Sequence, residues 1–220
     1  MKLALFCLLA GVLPAWSETR GATTDPIALY VKFQHDPTPA VTDALRQELS
    51  LIMGPIGLDF EWRDLASAGS EISTELAVVN FLGHCDIGGM NNRSRFEGAL
   101  GWTHMSDGQL LPFTDVSCDR VREFTQNALL SLRASERDAQ YGRALARVLA
   151  HELYHIFANT THHGAMGVAK ECYSLADLMS VDFQFKEKEI RLLQSSRPKP
   201  RTEVAEPARS APAETRTGTY

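Results

Sequence analysis

Five consecutive residues, His151-Glu152-Leu153-Tyr154-His155, constrain this 220-residue chain more than any other stretch. They lie within residues 144–157, where Leu145, Val148, Leu149, Leu153 and Ile156 recur at helical spacing with alanines between them. One helical turn separates His151 from His155, so both imidazoles fall on one face and can reach a single metal ion, with Glu152 beside it. Two neutral imidazoles suit a borderline-soft divalent ion such as zinc, and an adjacent carboxylate can take the proton of a water activated by that ion. The plain alternative is a core helix with two buried histidines. An acid set between histidines at i and i+4 favours the metal.

The chain opens with a short basic start, an apolar run from Leu3 to Leu13 and a small-x-small end at Ala15-Trp16-Ser17. This pattern predicts a secretory signal over residues 1–17, too short in its apolar part to span a bilayer. Residues 18–196 have the length of one globular domain. From Arg197 to Tyr220 the chain is Pro, Ala, Arg, Thr and Glu with little to bury, which predicts a disordered tail. The expected product is a secreted or periplasmic monomer, free of the membrane once the signal is removed. A net charge of −5 with scattered basic residues argues against a nucleic-acid partner.

Between signal and tail, residues 27–34 read as a strand and 40–53 as a helix opened by Thr38-Pro39, with Val41, Leu45, Leu49 and Ile52 on one face. Residues 58–63 and 76–82 read as two more strands. The second is nearly continuous in apolar residues, as expected of a strand covered on both faces. Strand, helix, strand implies a mostly parallel sheet. Residues 85–98 read as a loop. Residues 99–104 and 110–116 read as a hairpin turning at Ser106-Asp107-Gly108, which adds an antiparallel member to the sheet. Such an edge strand could take up an extended peptide through main-chain hydrogen bonds. Cys85 and Cys118 would end neighbouring parallel strands, which predicts a disulfide between them and leaves Cys172 unpaired. The motif helix is expected to begin near Ser135 and to end near Asn159, with Asn159 turning the chain in the left-handed conformation and Gly164 permitting a second sharp turn. Residues 186–194 read as a short charged helix.

His151-Glu152-Leu153-Tyr154-His155, followed closely by further histidines, resembles the zincin metallopeptidases, and in particular the metzincin and matrixin-related group with H-E-x-x-H-x-x-G-x-x-H. The resemblance implies an α/β (α+β) zincin-like fold: a twisted, mostly parallel sheet with an antiparallel edge strand, and two long helices, the second carrying the motif. It also implies a zinc metalloendopeptidase, a hydrolase acting on peptide or protein substrates, with Zn2+ as cofactor, His151 and His155 as ligands and Glu152 as general base. This chain departs from the pattern at Ala158, where the family has Gly, and at Thr161, where the third His should stand. Preserving the turn-to-His spacing makes His162 the third ligand. The run His163-Gly164-Ala165-Met166-Gly167-Val168 instead resembles bacterial exported zincin-like proteins with H-E-x-x-H-x7-H spacing, which makes it His163, the residue favoured here. Met166 or Met179 would form the methionine turn, and Tyr173 could stabilise an oxyanion. A zinc-binding but non-catalytic exported binding module is the rival class.

Overall fold

A computed structural model describes residues 26–69, 73–88 and 98–196. The predicted signal, the predicted tail and much of the loop at 85–98 lie outside the described residues. Five strands form one sheet in the order β2-β1-β3-β5-β4: β1 Ile27–His35, β2 Phe60–Asp64, β3 Leu76–His84, β4 Gly101–Ser106 and β5 Gln109–Ser117. All neighbours are parallel except β4 and β5, so the antiparallel strand stands at the edge, as the sequence predicts. The β4–β5 turn holds Asp107 and Gly108 at positive φ, 50° and 78°, the twist a two-residue hairpin requires. The disulfide Cys85–Cys118 joins the segments leaving β3 and β5.

Helix α1, Pro39–Met53, starts where Thr38 accepts the Val41 N–H and Pro39 presets the first turn. Its buried Leu45, Leu49 and Ile52 stabilise the packing by about 1.5–3 kcal/mol each. Helix α2, Cys118–Ser131, is capped by Ser117; α3, Ala134–Phe157, carries the motif, and α4, Leu175–Met179, and α5, Glu187–Ser196, follow. Where α1 meets α3, Gly142 brings the backbones together: a Cβ there would stand 2.4 Å from the Val41 carbonyl oxygen. Beside this contact the buried Arg147 donates from Nε to Glu48 at 2.7 Å and from Nη1 to the Leu178 carbonyl at 2.9 Å, which ties α1, α3 and α4 together.

Three expectations need correction. The motif lies on the third helix in chain order, because α2 intervenes; Val121, Thr125 and Leu129, buried at i, i+4 and i+8, mark it. Among the described residues the two faces of β3 are covered unequally. Ala77, Val79 and Phe81 enter the main core, Val78 joins a small cluster with Ala28 and Tyr30, and Asn80 donates to Asp115. Helix α3 begins at Ala134, next to the expected Ser135, with Arg133 at the cap position and no side-chain cap. The second sharp turn is made at Gly167, φ 70°, rather than at Gly164.

Candidate metal centre

Helix α3 is buried on every side from Ala144 to His155, and His151, Glu152 and His155 belong to this stretch. The helix stops at Ala158, and Asn159, at φ 45°, reverses the chain as the sequence predicts. This turn brings the Thr160 carbonyl 2.7 Å from His155 Nδ1. Further along, Gly167 permits the bend that places the Val168 carbonyl 2.8 Å from His151 Nδ1. The Tyr173 hydroxyl donates to the same Val168 oxygen.

These two contacts fix the tautomers. A carbonyl only accepts, so each Nδ1 carries the proton and each Nε2 is left with a lone pair. Burial holds His151 down to about 4 and lowers His155 as well, against the opposing carbonyl hydrogen bonds, so both rings are neutral at pH 7. The two Nε2 atoms lie 3.1 Å apart, two acceptors facing each other with no proton between them. A shared cation resolves that conflict. His163 completes the group: its ring stacks 5.2 Å from His151 and stands edge-on 4.9 Å from His155, and one nitrogen from each of the three rings lies within 4.8 Å of the others. Three clustered imidazoles, two of them anchored at Nδ1 by carbonyls, fit a zinc-type ion.

Glu152 lies beside this group on the floor of a cleft of about 550 Å3, whose opposite wall is the edge strand β4. Burial pushes its carboxyl up to about 7, while a hydrogen bond from Thr103 acts the other way. Thr103 Oγ1 lies 2.9 Å from Glu152 Oε2. The cleft is apolar towards Leu100, Phe124 and Val148. Beyond Leu110 and Thr161 it continues into a polar recess with Asn159 and His162.

Of the sequence-predicted residues, His151, Glu152, His155 and His163 come together here. His162 does not: it is exposed and lines the outer recess. Met166 is 62% exposed, and Met179 is half-buried with its sulfur towards Gln140. The Tyr173 ring stands edge-on to His151, but its hydroxyl hydrogen is committed to Val168. Cys172, the unpaired thiol, is exposed at the cleft wall. Sequence reasoning missed Thr103, and it missed the carbonyls of Thr160 and Val168, which no side-chain pattern announces.

No family model and no curated protein matches the chain. Among solved structures it is similar to archaemetzincin from Methanopyrus kandleri, at a TM-score of 0.44 and 15% identity over 78% of this chain and 95% of that one.

Proposed function

We propose that this chain is a secreted zinc metalloendopeptidase, with His151, His155 and His163 as metal ligands and Glu152 as general base. The observation that carries the reading is the pair of proton-free Nε2 atoms 3.1 Å apart, next to a buried carboxylate in an open cleft. Bound zinc would polarise a scissile carbonyl and acidify the attacking water. The protein's own part is to hold and move protons. Glu152 takes the proton of the water and delivers it to the departing amine, so no covalent intermediate forms. Strand β4 offers its outer edge, unpaired among the described residues, to an extended polypeptide, laying the main chain across the floor that carries Glu152. In this reading residues 1–17 direct export and are removed, and residues 18–196 form the catalytic domain.

The test is made on purified mature protein. Wild type should carry one zinc per chain and cleave an unfolded protein such as reduced casein. Glu152→Gln should retain the zinc and lose turnover by about 100-fold or more. Wild type that takes up no zinc, or full turnover in Glu152→Gln, would end the assignment.

A further inference from the structure

We infer that strand β4 does more than border the cleft: Thr103 is the residue that positions Glu152, and Gly101 makes the room for it to do so. Residues i and i+2 of a strand face the same side, so Gly101 and Thr103 both turn towards helix α3. A Cβ on Gly101 would stand 3.1 Å from Glu152 Cγ and 3.0 Å from Val148 Cγ1, so the missing side chain is the space the glutamate's methylene groups occupy. Two residues on, the Thr103 hydroxyl lies 2.9 Å from Glu152 Oε2 and 3.1 Å from the Glu152 carbonyl. The hydroxyl has one hydrogen, and the carboxylate is the stronger acceptor. Oε2 is thereby tethered to the edge strand, and Oε1 is left as the oxygen that exchanges the proton.

A glutamate side chain has three rotatable bonds, and a general base must hold its oxygen within hydrogen-bond reach of the reacting proton. The helix backbone alone fixes only where the side chain starts. Thr103 fixes where it ends, from the strand along which the substrate would lie, so docking and base orientation share one residue. This inference rests on the peptidase reading, yet it can be tested apart from it.

The test compares zinc-loaded wild type, Thr103→Val, Thr103→Ser and Glu152→Ala in three measurements. Acetohydroxamate binding, followed by calorimetry, probes a ligand whose hydroxyl needs both the metal and the Glu152 carboxylate. Zinc affinity is measured by chelator competition, and kcat and KM are measured on a peptide substrate. Thr103→Val, which keeps shape and loses the hydroxyl, should weaken acetohydroxamate as Glu152→Ala does and lower kcat by about 10- to 100-fold with KM unchanged. Zinc affinity should stay within about twofold, because none of the carbonyls that orient the histidines is touched. Thr103→Ser should restore both acetohydroxamate binding and kcat, which a purely structural role of the threonine methyl would not predict. Wild-type acetohydroxamate affinity in Thr103→Val, or a Thr103→Ser as impaired as Thr103→Val, overturns the inference. Failure of the peptidase reading would show differently: acetohydroxamate would still distinguish the variants while no peptide was cleaved even by wild type.

Discussion

Helix α3 and the loop at 158–174 each hold half of the candidate metal centre, and they hold it by different means. The helix half, His151, Glu152 and His155, is buried in a stretch whose opposite side enters the core through Leu145, Leu149 and Leu153. Its geometry follows from 3.6 residues per turn, and its rigidity from the packing of α1 against α3. The loop half, Thr160, His163, Val168 and Tyr173, has no regular structure to rely on. It is held by single contacts: the left-handed Asn159, the left-handed Gly167, the Gly164 N–H to the Ala169 carbonyl at 2.7 Å, and the salt bridge Lys170–Asp177 at 2.7 Å. The helix decides which side chains meet, whereas the loop decides how their rings are turned. Damage to the packing that carries the helix half should therefore destabilise the protein, and damage to the loop half should leave it folded with a weakened site.

The largest expected effect belongs to the helix half. Arg147→Met leaves Glu48 buried without its closest cation and should cost about 3–5 kcal/mol in denaturant unfolding. The double variant Glu48→Leu with Arg147→Met should recover most of that loss, because the desolvation penalty of both charges disappears together. If Arg147→Met instead weakens zinc binding at unchanged stability, the division between the halves is wrong. In the loop half, His163→Ala should lower zinc affinity by more than about 100-fold, since loss of an outer-shell partner alone costs roughly 10- to 100-fold. Its unfolding midpoint in the absence of metal should scarcely move. His162→Ala should change neither, and equal losses in the two variants would break the assignment of the third ligand. Gly167→Ala should have a smaller effect on the metal. Its Cβ would stand 2.2 Å from the Gln184 carbonyl oxygen in a conformation that costs an L-residue about 1–2 kcal/mol. The displaced Val168 carbonyl should reduce zinc affinity by about tenfold.

The two halves were also unequally legible. Helix α1, the parallel strands, the edge hairpin and the Cys85–Cys118 bridge all followed from apolar periodicity and turn residues. The helix-borne site residues followed from spacing, because a helix converts sequence separation directly into direction. Helix α2 carries a weaker signal of the same kind, because its buried stripe at Val121, Thr125 and Leu129 includes a polar residue. The loop half resisted for a physical reason. Its essential atoms are backbone carbonyls, which every residue possesses, so Thr160 and Val168 look like ordinary loop positions. The same holds for Thr103, whose partner lies 49 residues away on another element and becomes visible only once the register of β4 over α3 is known. The choice between His162 and His163 turned on a one-residue difference in loop length, and loop length does not translate into direction.

The smallest expected effect tests whether the loop half has a stability of its own. Asp177 sits in a capping box with Ser174 and bridges to Lys170, so it fastens the end of the loop to α4. Burial tends to raise its carboxyl, but the hydrogen bonds from Lys170 and Ser174 prevail and hold it down at about 2, against an ordinary value of 3.8. A depressed carboxylate contributes stability that is fully present above its unfolded-state pKa and is lost as the pH falls through the folded value. The contribution of Asp177 should therefore be intact above about pH 4 and disappear on the way down to about pH 2. Because the group is partly exposed, it should amount to only about 1 kcal/mol. Asp177→Asn should flatten that part of the acid limb of the stability curve and leave the plateau near neutrality lower by the same amount. Amide hydrogen exchange distinguishes where the loss falls. If the loop is held by its own contacts, the amides of Gly164 and Lys170 should exchange faster in the variant, while those in the middle of α3 remain protected. Equal acceleration in both would mean that loop and helix unfold as one unit, and that the contrast drawn between them describes geometry without describing stability.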